Sequence, residues 1–371
     1  MSKNIYLDNN ATTPIDPNVL NTMNPYLEQI FGNPNSFHDK GLETHVGLTL
    51  ASDQLYTALN IPEKDTLIMT SSATESINTV HKSILFDFIK NKDYKNQIIT
   101  SSVEHSAVRK SLAYLEEFGI EIISLPAINN SVSIESFQSK FQPEKTLLVS
   151  IGLANSETGI LQPIKDIATI CHQNNVLIHT DATQAIGKIP IDIYDLDVDY
   201  LSFSGHKFHA PKGIGGLYIK ESAPLIPLLH GGEQMGGFRS GTLNVAGIIA
   251  MGEALKIATK KLDLYSDSML QLRSNLEDFL SQIPNCIIYG KDQDRIPNTT
   301  FFNIPQIDHD YLVWYLNNNN ISVSTGSACT TKNIDLSLQT DSNRGVRVSS
   351  SRFTTSEEIR ILIDYISKLL N

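Results

Sequence analysis

Between residues 65 and 205 the chain repeats one unit: a short β-rich run, a small or polar turn, then a helical stretch. The runs are Asp65-Thr66-Leu67-Ile68-Met69-Thr70, Gln97-Ile98-Ile99-Thr100, Thr146-Leu147-Leu148-Val149-Ser150, Val176-Leu177-Ile178-His179-Thr180-Asp181 and Val198-Asp199-Tyr200-Leu201-Ser202-Phe203. Parallel strands need a long crossover, usually a helix, so this alternation predicts an α/β fold with a large, mostly parallel sheet covered by helices. From about Ala258 the rhythm changes. Leu262, Tyr265, Met269, Leu272, Leu276 and Phe279 recur three and four residues apart and predict a long amphipathic helix bridging two domains. Strands at 286–289, 299–304 and 321–324 and helices near 311–316 and 357–370 follow. The run Asn317 to Asn320 reads as a helix end, since Asn tolerates the left-handed cap conformation. The expected division is a larger domain over 15–258 and a smaller α+β domain built from 1–14 and 259–371.

The 371 residues carry 29 basic and 40 acidic side chains, a net charge of −11. Nucleic-acid backbones and anionic membranes are bound through clustered Lys and Arg, so neither is expected as a direct partner. No run approaches the ~18 apolar residues of a membrane span, and no basic-then-apolar leader opens the chain, so a cytoplasmic protein is expected. Cys171, Cys286 and Cys329 form no CxxC pair and are odd in number, which argues against a disulfide framework. Neither GxGxxG nor GxxxxGK[ST] occurs, so dinucleotide and P-loop sites lack their defining turns.

Ligands of open parallel sheets bind beyond the carboxyl ends of the strands, which makes the residues following each run the candidates for chemistry. Ser71-Ser72-Ala73-Thr74-Glu75 opens a helix whose free N–H groups could hold a phosphate, although an ordinary capping box from Ser72 to Glu75 reads the same residues. Asp181 sets a carboxylate at the mouth of the sheet, as a counter-ion for a pyridinium nitrogen or as a simple turn Asp. Lys207, in Ser204-Gly205-His206-Lys207 before a glycine-rich turn, is either a solvated lysine or a desolvated amine suited to Schiff-base formation. His206 and His209 have metal-ligand spacing, but no Cys or carboxylate completes a set, and no resident metal is expected. Phosphate cradle, carboxylate and lysine, each just past a strand, are together what pyridoxal phosphate requires. Cys329, in Gly326-Ser327-Ala328-Cys329, reads as a reactive thiol on an exposed, mobile loop, whereas Cys171 and Cys286 sit in apolar contexts.

These residues resemble a known family. Tyr6-Leu7-Asp8-Asn9-Asn10-Ala11-Thr12-Thr13-Pro14, Gly32-Asn33-Pro34-Asn35-Ser36, Ala73-Thr74-Glu75-Ser76, Glu104-His105, Ser156-Glu157-Thr158-Gly159, Asp181-Ala182-Thr183-Gln184, Ser204-Gly205-His206-Lys207, Arg239-Ser240-Gly241-Thr242 and the Cys329 segment are similar, in order, to the NifS/IscS-like cysteine desulfurases, pyridoxal-phosphate enzymes of fold type I related to the class V aminotransferases. The resemblance implies a homodimer that converts L-cysteine to L-alanine. Sulfur would pass as a persulfide on Cys329 to an acceptor or scaffold protein for iron–sulfur clusters, thio-cofactors or tRNA thiolation. It implies Lys207 as the Schiff-base lysine, Ala73, Thr74, Ser204 and His206 as phosphate ligands, and Thr242 as a ligand to the neighbouring subunit's cofactor. Asp181 would pair with the ring nitrogen, Gln184 would bond the ring hydroxyl, and His105 would stack on the ring and move protons. Asn155, close to the cofactor, and Arg352 would contact the substrate carboxylate; Cys329 would be the nucleophile, with at most a transient contact to a partner's iron–sulfur cluster. Selenocysteine lyase, and other β-lyases or aminotransferases of the same family, are the alternative activities. Two features depart from the usual pattern: a short interval from Cys329 to Arg352, and Ser349-Ser350-Ser351-Arg352 in place of Ser-Leu-Gly-Arg.

Overall fold

The computed structural model describes residues 4–91, 95–128, 130–325 and 345–370. Its strands in chain order are β1 (Ile5–Tyr6), β2 (Thr66–Thr70), β3 (Gln97–Ser101), β4 (Glu121–Leu125), β5 (Thr146–Ser150), β6 (Leu177–Asp181), β7 (Tyr200–Ser204), β8 (Gly215–Ile219), β9 (Ile287–Ile288), β10 (Thr299–Asn303), β11 (Ile321–Ser322) and β12 (Val346–Ser349). The chain divides into two compact units. One comprises Pro14–Ala154 and Gln162–Lys260; the other comprises the amino-terminal segment up to Thr13, residues Asn155–Leu161 and the chain from Lys261 onward.

The larger unit holds a seven-stranded sheet of order β2-β8-β7-β6-β5-β3-β4 among the described residues. All pairings are parallel except those of β8, which runs antiparallel between β2 and β7. The five predicted runs become β2, β3, β5, β6 and β7, and the sheet gains β4 and β8 beyond them. Successive side chains of a strand face opposite ways, so each buried strand feeds two cores. Leu67, Met69, Ile99, Val149, Ile178, Leu201 and Phe203 pack with the helices Asp39–Leu59, Ile164–Gln173 and Val245–Lys260. Ile68, Ile98, Leu148, Tyr200 and Leu217 pack with the helices Ala73–Asn91 and Ser106–Glu116.

The predicted amphipathic helix forms as Leu262–Leu280, but it lies wholly in the smaller unit and does not span two domains. Helix Val245–Lys260 ends in the larger unit, and Lys261 between the two helices leaves helical geometry at φ −128°, ψ 29°. The smaller unit pairs β12-β10-β9 antiparallel and β1 with β11 in parallel, around a core that includes Leu7, Leu276, Phe302, Leu316, Ile321, Val348 and Leu362. Helix His309–Asn318 closes at the predicted asparagines, and Asn320 takes φ +62°. Arg295, buried in this unit, makes a two-pronged ion pair with Glu277 at 2.9 Å on each prong. Among the described residues, no helix is long and apolar enough to cross a membrane.

Candidate active site

Because β8 alone runs backwards, the carboxyl ends of β2, β7, β6, β5 and β3 lie along one edge of the sheet. On that edge β2 leads into Ser71-Ser72 and helix Ala73–Asn91, β3 into Glu104-His105, and β5 into Gly152. Strand β6 ends on Asp181. Strand β7 ends on Ser204, followed by a single 3-10 turn, Gly205–Lys207. Neighbouring strands β6 and β7 therefore place the predicted carboxylate and lysine at adjacent strand ends, in register Asp181 with Ser202.

The Ser204 hydroxyl oxygen accepts the Ala73 N–H at 2.7 Å, which satisfies one of the orphan donors at the helix start. It keeps its own hydrogen to donate. Thr74 is exposed at the same helix end. The expected capping box is altered: the Glu75 carboxylate accepts the Ser71 N–H at 2.7 Å and the Arg239 Nε–H at 2.8 Å. Burial alone would raise the Glu75 carboxyl, but the hydrogen bonds from Arg239 and Ser71 outweigh it and hold it below the usual range. Arg239 thereby fastens the Arg239-Ser240-Gly241-Thr242 segment, where Thr242 is exposed and Gly241 takes φ +115°, to the phosphate-side helix. Gly215 on β8 backs this turn so closely that a Cβ would lie 2.8 Å from the Ser72 carbonyl carbon.

Asp181 is partly exposed, and its Oδ1 accepts the Thr183 N–H at 3.0 Å. His105 caps helix Ser106–Glu116, its Nδ1 accepting the Ala107 N–H at 3.1 Å, so the neutral ring carries its proton on Nε2. Gln184 is buried, with its amide oxygen accepting from Lys188 Nζ at 2.8 Å. Burial, then the charges of Lys207, Lys212 and Lys188, push the His206 imidazole down to about 4, leaving it neutral at pH 7. His209 gives a ring hydrogen bond to the Pro14 carbonyl, and no metal-binding cluster occurs among the described residues.

Period-2 alternation puts His179 on the same face of β6 as Asp181, and Ser202 on the same face of β7 as Ser204. Behind the site this yields a buried row that the sequence did not reveal. His81 Nε2 meets Ser150 Oγ at 3.0 Å, Ser150 Oγ meets His179 Nδ1 at 2.9 Å, and His179 Nε2 meets Ser202 Oγ at 2.9 Å. Burial pushes His81 down to about 3 and His179 well below its ordinary value, so both rings are neutral. No spacing signal links a helix histidine to a strand histidine across the sheet.

Asn155 and Arg352 both belong to the smaller unit. Asn155 Oδ1 accepts the N–H groups of Glu157 and Thr158, each at 2.9 Å, so a carboxylate would meet this residue through its amide nitrogen. Ser156 is held by Arg347, whose guanidinium donates to the Ser156 carbonyl at 3.0 Å and pairs with Asp8 at 2.7 Å. Arg352 lies over the rings of Tyr265 and Phe353 at 5.5 and 5.1 Å. The two unusual serines are used locally: the backbone of Ser350 is bonded to Asn298, and Ser351 Oγ accepts the Phe353 N–H at 3.3 Å. Cys329 lies outside the described residues. Cys171 and Cys286 are pushed up to about 12 and about 11, chiefly by burial, and are poor nucleophiles at neutral pH.

The donor set in the larger unit fits pyridoxal phosphate. A helix N-terminus, the Ser204 hydroxyl hydrogen and a neutral imidazole beside three lysines suit its phosphate. The carboxylate at β6 suits its ring nitrogen, and the amine after β7 its carbonyl carbon. Thr183 Oγ1, buried and with no hydrogen-bond partner among the described residues, lies two residues from Asp181.

Residues 5–362 match the family model described as aminotransferase class-V. The chain is 37% identical to the cysteine desulfurase IscS of Methanosarcina thermophila, over 100% of this chain and 92% of that one. It is also 37% identical to a cysteine desulfurase of Enterobacter agglomerans, over 99% and 93%. Among solved structures, a NifS-like protein superposes with a TM-score of 0.91 at 36% identity, covering 99% of each chain. SspA in complex with cysteine superposes at 0.80 and 27% identity, covering 95% of this chain and 100% of its own. A sheet edge built for pyridoxal phosphate and a match along nearly the whole chain lead to one assignment: the chain belongs to the class V aminotransferase family.

Proposed function

We propose that this protein is a pyridoxal-phosphate-dependent cysteine desulfurase. It converts L-cysteine to L-alanine and carries the sulfur as a persulfide on Cys329. The observation that carries the reading is the pairing of Asp181 and Lys207 at the ends of adjacent strands, in a chain that aligns along its full length with curated cysteine desulfurases.

When bound, the cofactor supplies an electron sink for negative charge on the substrate's Cα. Lys207 is its covalent anchor. The helix start at Ala73 and Thr74, with Ser204 and neutral His206, donates to its phosphate, Asp181 holds the ring nitrogen, and Gln184 bonds the ring hydroxyl. His105 covers the ring and moves a proton at Nε2, because Nδ1 is engaged by the backbone. Asn155 and Arg352 receive the substrate carboxylate; a guanidinium suits that group through two parallel hydrogen bonds. The Cys329 thiolate takes the sulfur: an S–S bond forms, the Cβ–S bond of cysteine breaks, and its electron pair stays on carbon to be protonated in alanine.

The protein works as a homodimer. Leu42, Val46 and Leu50 recur every four residues along helix Asp39–Leu59 at 52%, 69% and 61% exposure, a face that supports burial against a second copy. Exposed Thr242 suits a ligand to the partner's cofactor. An acceptor or scaffold protein of the iron–sulfur or thiolation pathways receives the persulfide. The free thiols of Cys171 and Cys286 support a reducing, cytoplasmic setting.

The test is the absorbance of the purified protein before and after L-cysteine, with alanine and persulfide assayed in the same tube. A visible cofactor band that shifts as both products form is expected. A keto acid in place of alanine, or no band, overturns the proposal.

A further inference from the structure

Glu104 is a buried carboxyl that none of the steps above uses. It lies between the end of β3 and helix Ser106–Glu116, immediately before His105. Its Oε1 accepts the Ser101 hydroxyl hydrogen at 2.6 Å and the Gly152 N–H at 3.0 Å, and Oε2 shares that N–H at 3.1 Å. The next amide along, Leu153 N–H, is donated to the Asp181 carbonyl at 2.9 Å. A Cβ on Gly152 would lie 3.1 Å from Glu104 Oε2 and 3.6 Å from the Asp181 carbonyl oxygen. Two consecutive amides after β5 therefore hold the residue before His105 on one side and Asp181 on the other.

We infer that Glu104 is a positioning residue whose carboxyl locks the ends of β3 and β5, fixing His105 relative to Asp181, and sets a second carboxyl beside Asp181. The inference rests on the proposed function, since it gives Glu104 a part at the same site. Among the described residues, the charged groups that act on Glu104 are Asp181 from β6 and Arg109 from helix Ser106–Glu116. Burial raises the carboxyl most, the hydrogen bonds from Ser101 and Gly152 oppose it, Asp181 raises it further and Arg109 lowers it, leaving it at about 7. Around neutral pH a negative charge is thus added or removed behind Asp181. Added charge tightens the hold on a protonated ring nitrogen, so the bound cofactor's spectrum senses it.

The experiment is a pH titration of cofactor absorbance in the purified holoenzyme, with thermal unfolding recorded alongside. The wild type is expected to show a transition with a midpoint of about 7. Glu104→Gln keeps an oxygen for the Ser101 and Gly152 donors but removes the charge, and this transition is expected to vanish while cofactor stays bound. Ser101→Ala removes a donor that favours the charged carboxylate and is expected to raise the midpoint by about one pH unit. This second variant decides the matter if Glu104→Gln does not fold. An unchanged transition in cofactor-loaded Glu104→Gln, or an unmoved midpoint in Ser101→Ala, overturns this inference alone. A wild type without cofactor absorbance overturns the proposed function and this inference with it.

Discussion

The Ser204 hydroxyl and the Ala73 amide, 131 positions apart, meet at 2.7 Å and join the end of β7 to the start of the helix that follows β2. Ser204 thus serves the fold and faces the proposed phosphate site at once. Ser204→Ala leaves a buried N–H without its acceptor, at a cost of about 1–3 kcal/mol, and removes one donor to an anion. Denaturant unfolding should register that loss. The cofactor's dissociation constant should rise by roughly 10- to 100-fold, the worth of one hydrogen bond to a charged group. An unchanged dissociation constant would remove Ser204 from the phosphate site.

Gly215→Ala tests the backing of the same turn. Its Cβ would lie 2.6 Å from the Phe203 carbonyl oxygen and 2.8 Å from the Ser72 carbonyl carbon, both backbone atoms that yield only if a strand or the turn moves. Overpacking of this kind costs about 1–3 kcal/mol. A lower Tm together with weaker cofactor binding is expected. Loss of Tm with unaltered binding would show that the Ser71–Ala73 turn does not hold the phosphate.

Lys207→Ala and Cys329→Ala should separate cofactor from sulfur chemistry. The lysine variant is expected to lose the visible band of covalently bound cofactor. The cysteine variant should keep that band, and its spectral response to L-cysteine, while forming no persulfide. Full alanine turnover by Cys329→Ala would discard that thiol as the nucleophile.

Acid should unfold the larger unit through its buried imidazoles. Above pH ~6.5 His81 and His206 are neutral in both the folded and unfolded states. Below it the unfolded chain takes up protons that the fold refuses until about 4 at His206 and about 3 at His81, so stability falls across that window. Each proton contributes a slope of about 1.4 kcal/mol per pH unit. His81→Leu should flatten the dependence of unfolding free energy on pH by one proton; an identical slope would show that His81 already titrates in the folded protein.

Thiol chemistry should follow burial. Alkylation near neutral pH is expected to mark Cys329 first, Cys286 slowly, and Cys171 only after unfolding, since burial pushes the latter two thiols up to about 11 and about 12. Peptide mapping of the adducts over time reads the order. Rapid labelling of Cys171 in the folded protein would contradict its packing against Ile167, Ala168 and Val176 in the core.

The residues alone determined a good deal. The five β-rich runs become strands, and Ser71–Glu75, Asp181 and Lys207 lie at or just past strand ends, because apolar periodicity and turn chemistry act within a few residues of one another. Strand β8 is not legible in the residues: Gly215-Gly216-Leu217-Tyr218-Ile219 opens on two glycines, which strands disfavour, and nothing local says that it inserts backwards between β2 and β7. The helix Leu262–Leu280 was legible from its apolar spacing, but its place wholly within the smaller unit was not, because spacing says nothing of which core an apolar face joins. Asn155 joins the smaller unit through a hairpin tied to Arg347, a partner 191 positions from Ser156. The roles of Glu104, Gly152 and the row from His81 to Ser202 are equally invisible along the chain. Each depends on which strands become neighbours, and sheet order is settled by packing the whole core rather than by the propensity of any one segment. The sequence therefore determined which groups are present and which strand ends carry them. The tertiary structure decided which of those groups touch, because hydrogen bonds act only over about 3 Å and their partners here come from distant parts of the chain.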